Sequence, residues 1–255
     1  MRTKFLPFEV VYEDRDLIVI DKPAGLLTTH THLETRAARL AQLTAENLLT
    51  DYVRKGQVRS SKRVWLVHRL DRETSGVMMF AKDERLAEAI RARWNELTEK
   101  TYLARVEGVL EEDHGVFESW LREDADGYRV RSVRQGGQTP SEGFGEISPR
   151  RLGGQTPKNG AKFARTEWKR LSSDGKTTLV EVALKSGRKN QIRVHFSEAG
   201  HTVVGDVKYG AKKADRLHLR SIRLVFTHPF TNRRLVFEVP VSDNGERPKK
   251  GRKTR

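Results

Sequence analysis

The sequence predicts an α+β protein. Three observations point there: short β-branched apolar runs bounded by turn residues, other stretches with apolar residues at helical spacing, and a C-terminal segment that reads as a hairpin. Leu17-Ile18-Val19-Ile20 is a strand stopped by Asp21-Lys22-Pro23-Ala24-Gly25, where Pro and Gly punctuate a turn. From Thr31 to Gly56, Leu40, Leu43, Leu48, Leu49, Tyr52 and Val53 recur three and four residues apart, predicting one or two helices that stop at Gly56. Val64 to Val67 and Val77 to Ala81 are short strands, and the polar segment between them, His68 to Gly76, is a loop. Asp83 caps a helix that buries Leu86, Ala89, Ile90 and Leu97. Tyr102 to Val109 and Thr178 to Leu184 alternate as strands, Asn190 to Ala199 is a helix closed by Gly200, and Leu217 to Phe226 turns through His228-Pro229 into a strand ending near Val239.

Composition narrows the function. With 49 Lys and Arg against 34 Asp and Glu, the 255-residue chain carries a net charge of +15, which favours a polyanionic partner. It has no Cys, so disulfide frameworks, Cys-ligated zinc, iron–sulfur clusters and thiol nucleophiles are excluded. The first ten residues interrupt their apolar positions with Arg2, Lys4, Pro7 and Glu9, unlike a signal peptide, and no apolar run is long enough to span a bilayer. A cytoplasmic protein is expected. His30 and His32 lack the companions of a metal site, so no metal is expected. The four Trp residues, Trp65, Trp94, Trp120 and Trp168, read as packing residues.

Two segments carry chemistry. His68-Arg69-Leu70-Asp71-Arg72-Glu73-Thr74-Ser75-Gly76 sets a carboxylate between two guanidinium groups in a loop, where an ionised Asp71 is a usable nucleophile. From spacing alone the same residues also fit an exposed turn whose ion pairs contribute little. Ser186-Gly187-Arg188-Lys189-Asn190-Gln191-Ile192-Arg193-Val194-His195 places a Ser/Gly turn and several cations at a helix start, suited to a phosphate-sized anion, with Arg193 one turn inside. From the pattern alone, an ordinary capped basic helix on the surface fits better.

Five segments in order resemble the RluA-type pseudouridine synthases. His68 to Gly76 is similar to that family's HRLD-x-x-TSG signature, Leu17 to Gly25 to its opening strand and DKPAG turn, and Lys100-Thr101-Tyr102 with Ala104, Val106 and Gly108 to its K-x-Y-x-A-x-V-x-G strand. Gly187 to His195 resembles GR-x-HQIR-x-H, and Gly205-Asp206 with Tyr209-Gly210 resembles GD-x-x-YG. Asn190 stands where the family usually has His, and roughly Gln135 to Ala161, with its doubled Gly-Gly-Gln-Thr-Pro string, reads as a longer inserted loop.

The resemblance implies a mixed, mainly antiparallel central sheet with flanking helices and a cleft lined by Asp71, Tyr102 and Arg193. It implies that Asp71 is the nucleophile, that Tyr102 stacks on the target base and helps move the C5 proton, and that Arg193 pairs with Asp71. Arg69, two residues before that Asp, would fill the gap left by a flipped uridine, or else contact a phosphate. Arg72, Arg188 and Lys189 are expected to contact the RNA backbone, and Ile192, with Val67, Leu70 and Val77, to wall the pocket. Residues 1–243 are read as one catalytic domain with an insertion at about 135–161, and 244–255 as a basic tail. The expected substrate is a uridine in structured rRNA or tRNA, with no cofactor, no obligate protein partner and a monomeric enzyme. Two other classes stay open: a non-catalytic RNA-binding factor, and a glycoside hydrolase pairing Asp71 with Glu73.

Overall fold

The computed structural model describes residues 6–30, 42–57, 59–125, 127–133 and 160–241. The expected insertion lies almost wholly outside them, as do the tail, His32 and most of the helical pattern before Gln42. In chain order the described elements are β1 (Glu9–Glu13), β2 (Leu17–Lys22), α1 (Ala45–Arg54), β3 (Trp65–Leu66), β4 (Ser75–Ala81), α2 (Glu84–Ala92), α3 (Trp94–Leu97) and β5 (Thr98–Glu107). There follow β6 (His114–Glu123), β7 (Val130–Val133), β8 (Lys162–Ser173), β9 (Thr177–Leu184), α4 (Gln191–Glu198), a 3-10 turn (Val207–Tyr209), β10 (Leu219–Thr227) and β11 (Arg234–Glu238). The chain forms two compact units, one from Met1–Glu99 with Ser221–Val239, the other from Lys100–Arg220 with Pro240–Arg255.

In the first unit β2 runs antiparallel to both β1 and β4, with Val10 opposite Ile20 and Leu17 opposite Ala81. All six residues of β2 are buried, as its unbroken Leu-Ile-Val-Ile run requires of a strand covered on both faces. β3 pairs β4 through Trp65 and Ala81, β4 lies beside β10, and β10 and β11 form the expected hairpin with Leu224 opposite Phe237. Gly76 is obligatory at the β4–β10 approach: its φ is +113°, and a Cβ there would lie 1.9 Å from the carbonyl oxygen of Ser221. Leu17, Val19, Val77, Met79, Leu86, Ile90, Phe226 and Phe237 form the core, with Trp65 and Trp94 packed against it.

The helices of this unit begin as the sequence suggests. Asp83 accepts from the amide of Leu86 at 2.9 Å, and Thr44 accepts from Asn47 at 3.1 Å, each relieving an orphan amide. Two expected faces shift. Ala87, not Ala89, is buried in α2, and Leu43 precedes α1 and is 59% exposed, leaving Leu48 and Leu49 as the buried face with Tyr52 outside.

In the second unit the strands lie in the order β5-β9-β8-β6-β7, all antiparallel. α4 covers this sheet. Its residues Gln191 to Phe196 are all buried, so a helix expected to bury one face is enclosed. Phe196 meets Phe117 edge-on at 5.1 Å, and His195 bonds Thr166 Oγ1 at 2.8 Å and Ser119 Oγ at 2.9 Å. Burial drives the His195 pKa down to about 3, so the ring is neutral. Among the described residues no helix is long and apolar enough to cross a membrane.

Candidate active site

In the first unit the loop between β3 and β4 presents Asp71. Leu70 and Thr74 on either side are buried, Asp71 is half-buried, and Arg69, Arg72 and Glu73 are exposed. The loop is held at each end. His68 Nε2 accepts from the amide of Met79 at 2.9 Å while its ring stacks on Trp94 at 4.5 Å, and the amide of Thr74 donates to the Asp71 carbonyl at 3.2 Å. Thr28 Oγ1 donates to the Leu70 carbonyl at 2.8 Å, and the amide of Gly25 to that of Arg72 at 2.9 Å.

The strongest anchor is Lys22, which is fully buried at the end of β2. Its Nζ donates to the carbonyls of Leu26 at 2.7 Å, Pro23 at 3.0 Å and Arg72 at 3.0 Å. One ammonium therefore satisfies three acceptors and ties the Asp21–Gly25 turn to the Asp71 loop. Burial lowers the Lys22 pKa to about 8, against the pull of the Glu73 and Asp71 carboxylates, so the group remains charged at neutral pH. Arg72 turns back on the same turn: its Nε donates to the Gly25 carbonyl at 3.1 Å and stands 3.5 Å from Glu73.

In the second unit Tyr102 is buried in β5, opposite Val182. Lys100 lies two residues earlier and therefore on the same strand face, also buried, and burial with the nearby Arg188 charge lowers its pKa to about 8. Arg193, one turn into α4 and 7% exposed, makes a bidentate pair with Asp206, Nε to Oδ2 and Nη2 to Oδ1, both at 2.7 Å. Its Nη1 donates to Asn190 Oδ1 at 3.1 Å, and its guanidinium lies 5.2 Å from the centre of the Tyr209 ring. Asn190 also donates through Nδ2 to Tyr209 Oη at 3.1 Å, from a left-handed φ of 54° that Asn tolerates better than most residues. So the unexpected Asn sits in the hydrogen-bond shell of the buried cation.

The remaining cations of that segment have protein partners. Arg188 Nε donates to the Phe163 carbonyl at 2.9 Å, and Lys189 Nζ reaches Glu123 and the Gly127 carbonyl, both at 2.7 Å. Ile192 is buried beside Arg193. Each unit thus gathers its own share of the expected residues: Arg69, Asp71 and Arg72 on one loop, and Arg188, Lys189, Ile192 and Arg193 on one turn and helix, with Tyr102 on β5. Sequence reasoning passed over Lys22, Lys100 and Asp206 as site residues. Lys22 and Asp206 stand inside the DKPAG and GD segments, and Lys100 shares the alternation of Tyr102, which is the signal that marks them.

The first unit thus holds a carboxylate on a pinned loop, and the second holds a tyrosine with a buried lysine on one strand face and a buried guanidinium clamped by Asp206. The model of the family described as RNA pseudouridylate synthase matches residues 16–198. The uncharacterised RNA pseudouridine synthase YhcT of Bacillus subtilis (strain 168) is 33% identical over 238 residues, covering 91% of this chain and 68% of that one. The tRNA pseudouridine synthase C of Vibrio parahaemolyticus serotype O3:K6 is 30% identical over 246 residues, covering 92% and 91%. The dual-specificity RNA pseudouridine synthase RluA of Vibrio vulnificus (strain CMCP6) is 30% identical over 230 residues, covering 87% and 78%. The fold is similar to that of human RNA pseudouridylate synthase domain containing 4, with a TM-score of 0.69, 23% identity, and coverage of 92% of this chain and 89% of that one. The chain belongs to the RNA pseudouridylate synthase family. Within it the chain is of the RluA type, an isomerase that converts uridine in RNA to pseudouridine.

Proposed function

We propose that Asp71 is the nucleophile of this isomerisation, that Tyr102 stacks on the uracil, and that Arg193 is the cation supporting the reacting carboxylate. The substrate is a uridine in a structured tRNA or rRNA. Support for Asp71 comes above all from one observation: its loop is fastened by Lys22, Thr28 and Gly25 while its own side chain stays half-open to solvent. A reacting group must be accessible, yet held to a fraction of an ångström.

The reaction breaks the bond between C1′ and N1 of the uridine, turns the uracil, and joins C1′ to C5. The C5 hydrogen leaves as a proton, and N1 ends carrying one. A carboxylate engaging the ribose divides this into two easier steps. Tyr102 holds the detached ring by stacking, and buried Val67, Leu70, Val77 and Ile192 restrict the water that would otherwise intercept the sugar. Arg69, exposed beside Asp71, replaces the everted base in its stack. Arg72, Arg188 and Lys189 contact the RNA backbone. The setting we propose is the cytoplasm, with the enzyme acting as a monomer without a cofactor.

The test is tritium release from RNA labelled at uridine C5, run separately on tRNA and rRNA lacking the modification. Wild type should release label from at least one pool, and Asp71→Asn should lower the rate by about a thousandfold or more while still binding RNA. Full activity in Asp71→Asn would overturn the assignment of the nucleophile. Release from neither pool would overturn the choice of substrate.

A further inference from the structure

Asn190 breaks a local rule. It stands at the N-cap of α4, where an Asn ordinarily keeps extended backbone and turns its side-chain oxygen onto an amide of the first turn. Here φ is 54°, and among the described residues the side chain makes no capping bond. Both of its polar ends go elsewhere: Oδ1 accepts from Nη1 of Arg193, and Nδ2 donates to Tyr209 Oη, each at 3.1 Å. A guanidinium only donates, which sets the amide with its oxygen toward Arg193 and its nitrogen toward the phenol. A cap and a relaxed backbone are given up for a bond to the buried cation, and local rules of this kind are broken mainly at functional sites.

The bond restrains Arg193 where its ion pair does not. The two oxygens of Asp206 grip Nε and Nη2, and a two-point grip fixes one edge of a guanidinium while letting its plane tip about that edge. Nη1 lies off that edge, so its bond to Asn190 opposes the tilt. Arg193 Cζ also lies over the Tyr209 ring, 5.2 Å from its centre. Tyr209 is fixed in turn: its hydroxyl accepts from the Val130 amide at 3.1 Å and donates to the Val130 carbonyl at 3.3 Å, and its own amide donates to the Asp206 carbonyl at 3.0 Å. Partial burial raises the phenol pKa, so the hydroxyl keeps the proton it donates. A line of bonds therefore runs from β7 through the phenol and the amide to the cation.

We propose that Asn190 and Tyr209 are positioning residues, which act through Arg193 by holding its guanidinium at one angle during the isomerisation. This rests on the reading of Arg193 as the cation that supports the reacting carboxylate, and adds what keeps that cation in place. Stabilisation of a developing charge depends on where the donor points before the reaction begins, so a tilted guanidinium binds RNA as before and turns it over more slowly.

The experiment is steady-state tritium release from RNA labelled at uridine C5, with kcat, KM and melting temperature measured for each variant. Asn190→Gly removes both bonds with a residue at ease in left-handed backbone, and should lower kcat about tenfold with KM unaltered. Tyr209→Phe keeps the ring and loses the hydroxyl, and should lower kcat about threefold. The double variant should be no slower than Asn190→Gly, because the phenol acts through the amide. Asn190→His should keep kcat within about twofold of wild type, since a neutral imidazole also offers one acceptor and one donor and tolerates a left-handed φ. A merely structural role would lower the melting temperature and leave kcat alone. Wild-type kcat in Asn190→Gly and Tyr209→Phe would overturn the proposal, as would losses confined to KM, or Asn190→His as slow as Asn190→Gly. Should Asn190→Gly fail to fold, Tyr209→Phe decides by the same reading. Arg193→Lys separates the two claims: if it is slow while the Asn190 and Tyr209 variants are not, the proposal alone fails, and if it keeps wild-type kcat, the assignment of Arg193 fails and takes the proposal with it. A wild type that releases no tritium from any RNA overturns both.

Discussion

Asp206 and Arg193 meet through two 2.7 Å bonds in a place almost sealed from water. A buried ion pair contributes little net stability, but removing one partner strands the other, at about 3 to 5 kcal/mol. Asp206→Ala should therefore lose about that much in urea denaturation, and Arg193→Met with Asp206→Ala together should lose less than Asp206→Ala alone. Lys22 makes a different prediction, because its pKa falls on folding from 10.5 to about 8. Below about 8 both states hold the proton, and the cost of the buried charge is constant. Between about 8 and 10.5 the unfolded chain binds the extra proton, so stability through this group rises with pH. Relative to Lys22→Met, wild type should gain about 1.5 kcal/mol in unfolding free energy between pH 8 and pH 9.5. A gap that stays flat across that window would mean the amine is not desolvated as described.

Among the elements, β4 shows how a single position limits a strand. The Cβ of alanine at residue 76 would enter the Ser221 backbone, which cannot yield as a side chain would. Gly76→Ala should cost about 4 kcal/mol or more in thermal unfolding, whereas Gly25→Ala, at a φ of +83° with open space around it, should cost only about 1 to 2 kcal/mol. The contrast separates packing from backbone preference. It also shows why some elements were legible and others were not. β2, β4, α4 and the C-terminal hairpin announce themselves through apolar period and punctuation, and Asp83 through its cap. β6 and β8 do not, because polar Ser119 and Thr166 take buried positions while apolar Val116 and Trp120 take less buried ones, which blurs the alternation. The family motifs single out Asp71, Tyr102 and Arg193 as candidates, but the burial of Lys22, Lys100 and Asp206 is invisible to hydropathy, which sends charges outward. Contacts such as Lys22 to Arg72, fifty residues on, exist only in the fold.

At the scale of the whole molecule, the excess of 49 basic over 34 acidic residues should be felt as salt dependence. If about six phosphates are contacted, log K falls against log salt with a slope near −4.2, and a fourfold rise in salt weakens RNA binding by roughly 300-fold. A flat response would leave the +15 charge without a role in binding. The two units divide the chain unevenly in another sense. The second draws its strands and α4 from one uninterrupted stretch, Lys100–Arg220, while the first needs Ser221–Val239 to complete a core begun at Leu17. During synthesis the amino-terminal half must therefore wait, its β4 edge uncovered, until the last strands emerge from the ribosome, while the later stretch is already able to collapse. A nascent chain stalled short of Ser221 would display that waiting edge to chaperones and proteases.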